Sequence, residues 1–156
     1  MEKRNAAAII LLCAISLALW WCWNEPVRLT YSGLEKLEGR NYEGAVSDFD
    51  AAINFQPSIN QGNFAAAYFG RGYTKLKMMD LNGALPDLRI ASQLEPSSAR
   101  AWKTLGYVEY KLGMHEEGRN DIRKALLIEW PTISPDDPSI DMNVQGEIER
   151  LDYSMN

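Results

Sequence analysis

Cysteine is nearly missing from this 156-residue chain: its two, Cys13 and Cys22, both lie in an apolar run near the N-terminus. The residues after Trp23 therefore have neither a disulfide framework nor a cysteine metal site. Histidine is reduced to one, His115. A metal or catalytic centre needs partners that a lone histidine lacks, so a packing or surface role is expected for it. Positive charge is also short, with 16 Lys+Arg against 21 Asp+Glu and a net charge of −5. Leaving out Glu2, Lys3 and Arg4, the chain beyond Trp23 holds 14 basic and 20 acidic residues, a net −6. Such a balance argues against a general nucleic-acid binder, which shows a basic field. There is no Asn-x-Ser/Thr acceptor and no phosphate-cradling glycine loop. Gly70-Arg71-Gly72 falls inside a helical pattern, not at a strand-to-helix turn. The acidic pairs Glu116-Glu117 and Asp136-Asp137 read as solvated helix-start and turn residues. No catalytic residue, metal, cofactor or small-molecule substrate is expected.

What is present begins with Ala6 to Trp23, an unbroken run without a charge. As a helix this run is roughly 27 Å long, close to the bilayer hydrocarbon thickness of about 30 Å. Lys3 and Arg4 precede it, and Trp20, Trp21 and Trp23 close it with indoles that favour the lipid interface. The reading is an uncleaved, single-pass signal anchor occupying residues 1–24, with the N-terminus cytoplasmic and the rest extracytoplasmic. The alternative is a signal peptide cleaved near Ala18, which would release a secreted module. Cys22 lacks the small residues that precede a lipidated cysteine.

From Pro26 onward, one pattern recurs. Gly33, Ala45, Phe49, Ala52 and Pro57 return, all at one constant offset, as Gly72, Ala84, Leu88, Ala91 and Pro96. At a second constant offset, slightly shorter, stand Gly106, Gly118, Ile122 and Ala125, with Pro131 one place out of register. A repeat of about 34 residues with apolar residues at helical spacing predicts stacked helix-turn-helix hairpins. Within each copy the small residue of the first helix precedes that of the second by the same interval: Gly33 to Ala45, Gly72 to Ala84, Gly106 to Gly118. Antiparallel helices need small residues where their axes come closest.

On these residues, together with Leu29 and Tyr42, Tyr68 and Leu81, and Trp102, Leu105 and Tyr107, the chain resembles the tetratricopeptide repeat (TPR) family. The resemblance covers residues 26–132, as copies 26–59, 65–98 and 99–132. It implies an all-α, right-handed α-solenoid of three hairpins. Departures are visible. Gly118 replaces the expected alanine, at a cost of roughly 0.5–1 kcal/mol in a helix interior. Pro86 is tolerated only near a first turn. Ser32 and Arg71 stand where leucine is common. Residues 60–64 are an insertion that reads as a surface loop, or else as a contact loop anchored by Phe64. Residues 133–156 form a linker and a last helix that Ser139 caps, with Ile140, Val144, Ile148 and Leu151 on one stripe. That helix closes the open end of the array.

The resemblance also implies a concave groove lined by the first helix of each hairpin. Carried over by position, the groove takes Thr30, Leu34, Leu37 and Glu38, then Phe69, Tyr73, Leu76 and Lys77, then Arg100, Lys103, Tyr107, Tyr110 and Lys111. It grades from apolar through aromatic to basic, and aromatic and arginine anchors carry much interface energy. The family's chaperone-tail clamp places lysine and asparagine where this chain has Thr30 and Leu34, so that particular function is not supported. The expectation is a membrane-anchored adaptor or scaffold, with a protein or peptide in the groove and a role in assembling a membrane or envelope complex. A permanent structural subunit of a membrane complex is the competing reading.

Overall fold

The computed structural model describes Ser16 and residues 24–55 and 62–155. The two longer stretches form seven helices, with no strand among the described residues. They are α1 (residues 24–38), α2 (Tyr42–Asn54), α3 (Gly62–Lys77), α4 (Leu81–Leu94), α5 (Ala99–Lys111), α6 (His115–Glu129) and α7 (Ser139–Met155). The expected membrane segment, residues 6–23, lies outside the described residues except for Ser16. Among the described residues no helix is long and apolar enough to cross a membrane.

One turn joins α1 to α2, α3 to α4 and α5 to α6. Arg40, Met79 and Gly113 take positive φ values of 59°, 62° and 85°, and they recur at the spacing of the repeats. Asn41 and Asp80 follow the first two. Their side chains accept from the backbone N–H of Gly44 at 3.1 Å and Gly83 at 2.9 Å, which satisfies an otherwise orphaned donor at the start of α2 and of α4. Met114 holds this place before α6 and supplies no side-chain cap. Glu116 and Glu117 complement the helix dipole there instead.

Small residues mark the closest approaches. A Cβ on Gly118 would stand 2.4 Å from the Gly106 carbonyl oxygen, and one on Gly106 would stand 2.5 Å from that of Gly118. The α5 and α6 backbones touch here, and the alanine expected at 118 has no room. The ring of Phe49, fully buried, lies in a slot between α1 and α3. A Cβ on Gly33 would come within 2.7 Å of it and one on Gly70 within 2.4 Å. Full burial of such a ring contributes roughly 1.5–3 kcal/mol.

The core runs along the array in three clusters, two shared by neighbouring hairpins and the third by the last hairpin and α7. Phe49 and Ile53 pack with Ala67, Leu76 and Leu88 pack with Leu105 and Val108, and Ile122 and Leu126 pack with Val144 and Ile148. No hairpin buries its apolar face alone, as expected of a solenoid.

Polar bridges repeat as well. Asp48 of α2 accepts from Ser32 and Lys36 of α1, both at 2.6 Å. One repeat later, Asp87 of α4 is held by Arg71 and Lys75 of α3. Arg71 also reaches Asp50 of α2 at 2.5 Å. In place of a core leucine it links three helices through charge-assisted bonds.

Three expectations are corrected. Phe64 is not the anchor of a contact loop: α3 begins at Gly62, and Phe64 is buried in its first turn. Pro86 lies beyond the first turn of α4, on its exposed side, so its ring stands clear of the core although one helical hydrogen bond is lost. The cap of α7 comes from Asp137, whose carboxylate accepts from Ser139 N at 2.8 Å. Bonds from Ser139 hold the Asp137 carboxyl below its ordinary value.

Candidate functional site

Side by side, the first helices α1, α3 and α5 present most of the residues placed in the groove by position. The structure divides those residues into an open half, a covered half and a buried remainder.

The open half is a cleft of about 430 Å³ bounded by Leu34, Leu37 and Glu38 of α1, Arg40 and Tyr42 at the following turn, Tyr73 and Lys77 of α3, and Arg100 of α5. Leu34 and Leu37 rest on the Phe49 cluster and are half-buried. Phe69 and Tyr73, one helical turn apart, stack with centroids 5.8 Å apart. The Arg100 guanidinium lies over both rings, 4.7 Å from the centroid of Phe69 and 5.7 Å from that of Tyr73. The Lys77 ammonium lies 5.7 Å from the Tyr73 centroid. Cations over aromatic faces gain about 0.5–1 kcal/mol at exposed sites, so this wall is ordered without ion pairing.

The covered half belongs to α7. Its Glu147 and the Glu129 carboxylate of α6 hold Lys103 at 3.1 and 2.8 Å. Burial pulls the Lys103 ammonium down, but the two carboxylates outweigh it and its pKa is raised. The Tyr107 hydroxyl donates to Asp152 Oδ1 at 2.8 Å, and Lys111 Nζ meets the same oxygen at 3.0 Å. Burial, reinforced by the Asp152 charge, raises the Tyr107 phenol. The bonds from Lys111 and Tyr107 lower the Asp152 carboxyl. A smaller cleft of about 290 Å³ lies where Tyr73, Arg100 and Lys103 face Leu151 and Ser154.

Three groove positions point elsewhere. Leu76 is 3% exposed, inside the central core cluster. Thr30 is buried and donates to the Pro26 carbonyl at 2.8 Å. Tyr110 packs on the Ile122 cluster, its ring edge-on to His115 at 4.6 Å. Reasoning from the first helices alone missed Arg40, in the α1–α2 turn, and Tyr42, the first residue of α2, which both reach the cleft. The signal was a bulky cation at the turn position that Gly113 fills in the third hairpin. Among the described residues, no three His, Cys, Asp or Glu side chains converge as metal ligands do.

The touching glycine pair, the positive-φ turn three times over and the groove between first helices meet in one architecture. Among solved structures, the first TPR domain of Spaghetti (RPAP3), bound to the HSP90 peptide SRMEEVD, superposes with a TM-score of 0.64 at 17% identity, over 82% of this chain and 94% of that one. The described region has the TPR fold. The TPR domain of Arabidopsis OM64 aligns at a TM-score of 0.65 and 19% identity, covering 83% and 98%. In sequence, the chain is 27% identical over 101 residues to the small glutamine-rich tetratricopeptide repeat-containing protein 2 of Saccharomyces cerevisiae. It is 28% identical over 89 residues to the Protein CTR9 homolog of Arabidopsis thaliana. The matched part is 65% and 57% of this chain but only 28% and 8% of those proteins. No family model matches the chain.

Proposed function

We propose that this protein is a non-catalytic TPR adaptor that holds a segment of a partner protein in the cleft between α1, α3 and α5. The observation that carries this reading is the open half of the groove. Two leucines form an apolar floor there, and stacked Phe69 and Tyr73 hold Arg100 at the wall. Aromatic and arginine side chains of this kind are the usual anchors of interfaces. A domain of the same fold holds a peptide in the Spaghetti complex. The adaptor works from a membrane. The uncharged run 6–23, flanked by Lys3 and Arg4, supports a single-pass anchor with the TPR domain on the extracytoplasmic side, and the adaptor's role there is the assembly of an envelope complex.

Crosslinking in native membranes tests the reading. The wild type is expected to recover a defined partner, and Tyr73→Ala combined with Arg100→Ala to lose it while keeping the helical circular-dichroism signal. Undiminished recovery by the double variant would remove the cleft from the function.

A further inference from the structure

We propose that the outer face of α1 pairs with the same face of a second copy of this chain, antiparallel and about a two-fold axis at Tyr31. This goes beyond the cleft reading and does not rest on it.

Three positions on the first helix of a hairpin are buried where the preceding hairpin stacks. In α3 they hold Ala67, Gly70 and Thr74, and in α5, at one constant offset, Ala101, Thr104 and Val108. All six are buried. Ala67 packs with Phe49 and Ile53 of α2, and Val108 with Leu88 of α4. A Cβ on Gly70 would run into the Phe49 ring. Small residues at these places let the axes of successive hairpins come close. In α1 the same three positions hold Arg28, Tyr31 and Glu35. All three are exposed, Tyr31 at 69%. A ring between two charges does not suit the close stacking seen twice elsewhere in the molecule. It also exceeds what solubility asks of an end face, which polar groups alone provide.

These side chains do fit a copy of themselves. They recur at helical spacing, so they form one stripe along α1. Antiparallel pairing at Tyr31 sets Arg28 beside the Glu35 of the second copy, and Glu35 beside the Arg28 of that copy. The contact is isologous, and the ion pair forms twice. Tyr31 then lies at the centre with the charges at the rim, the usual placement of an interface anchor. Among the described residues no lysine or arginine pairs with Glu35. Arg28 is held by Glu25, yet its side chain stays 67% exposed. Parallel pairing would set Arg28 on Arg28 and Glu35 on Glu35, a juxtaposition of like charges that is costly. Leu34 and Leu37 line the cleft from another side of α1, so the pairing leaves the cleft open.

One helix face is small beside the roughly 1,200 Å² of a standard interface. On the anchored reading, confinement to a membrane raises the effective concentration that so small a contact needs. Antiparallel α1 helices then meet one membrane by lying along its surface.

Sedimentation velocity of the full chain in detergent, over about a hundredfold range of concentration, tests the pairing. The wild type is expected to pass from monomer to dimer as concentration rises. Tyr31→Ala should weaken the dimer at least about tenfold and leave the thermal midpoint unchanged, because the ring is exposed. Arg28→Glu and Glu35→Arg should each weaken it about tenfold. Both changes in one chain restore opposite charges across the axis and should return affinity to within about threefold of the wild type. Met142→Ala, on the exposed side of α7, should change nothing. A monomer at every concentration would overturn the proposal, and a different protein crosslinked through Tyr31 would then hold the face instead. A dimer indifferent to all three single changes would also overturn it and assign association to the uncharged run 6–23. A dimer weakened further by the combined change would exclude the antiparallel pairing. The cleft reading survives each of these outcomes.

Discussion

Glu109 is the residue at which the repeat breaks its own rule. Lys36 and Lys75 bridge to Asp48 and Asp87 across the first two hairpins. The equivalent position one repeat after Lys75 holds Glu109, and the partner aspartate is Asp121. Two carboxylates meet where a salt bridge stood. Arg89 of α4 compensates, donating to Glu109 Oε1 at 2.8 Å, and Lys124 takes Asp121 at 2.7 Å. The other oxygen of Glu109 is buried without a partner among the described residues. Burial first, and Asp121 with it, raise the Glu109 carboxyl above its ordinary 4.5, against the pull of Arg89. A carboxyl raised in the folded state supports folding while protonated. That support is full below the ordinary, unfolded value and is lost as pH rises through the folded value. Asp48 behaves oppositely. Burial works against its charge, but Lys36 and Ser32 prevail and lower it. Its support is present above the ordinary 3.8 and lost as pH falls through the folded value. Glu109→Gln keeps the shape and removes the charge. It is expected to stabilise the fold by about 1 kcal/mol near pH 8, the scale of relieving an unsatisfied buried oxygen, and by close to nothing near pH 4. Urea unfolding of both proteins at the two pH values measures this. A loss of stability at pH 8 would mean that the Arg89 bond outweighs the unpaired oxygen.

Hairpins are where sequence and structure correspond best, and Gly118 shows both the reach and the limit. Its pairing with Gly106, at the same offset as Gly33 and Ala45, marked the closest approach of two helices. Helix propensity alone reads Gly118 as a defect, since alanine is better by about 1 kcal/mol in a helix interior. Contact overrules propensity, because the added carbon would meet a backbone oxygen at 2.4 Å and the backbone of Tyr110 at 2.7 Å. Neither neighbour is the far end of a flexible side chain. Gly118→Ala is therefore expected to destabilise the domain by about 1–3 kcal/mol, the usual cost of overpacking, read as a lower midpoint in thermal unfolding. A raised midpoint would show that α5 and α6 separate freely. The cleft was less legible for a related reason. Position within a repeat assigns a residue to a helix face, but how much of that face stays open depends on elements outside the repeat. Lys103, Tyr107 and Lys111 carry groove positions, yet α7 reaches over them from beyond the last copy. Leu76 carries one too, yet it packs inside the central core cluster with Leu88, Leu105 and Val108. Arg40 escaped notice because turns are not part of the helix pattern.

An ideal solenoid couples each hairpin only to its neighbours, so its stability is a sum of local terms. This molecule adds a connection that skips one. Helix α7 packs Val144 and Ile148 on α6, as a closing helix should. Its last turns continue across α5: Leu151 joins the cluster of Leu76, Leu105 and Tyr107, and Asp152 takes Tyr107 and Lys111. Ser154 then meets Lys77 on α3. The central hairpin is thus held by its two neighbours and also by the end of α7, and its amides are expected to exchange most slowly with solvent. Removing residues 150–156 leaves Ile140, Val144 and Ile148 on α6 but deletes this strap. The loss is about 1–2 kcal/mol, from a half-buried leucine and a hydrogen bond to a charged group. It should be local: native-state hydrogen exchange is expected to quicken in α5 and the end of α3, with α2 unchanged. A uniform quickening from α1 to α6 would show instead that the array opens as one cooperative unit, so that the strap stabilises the whole without bracing any part of it.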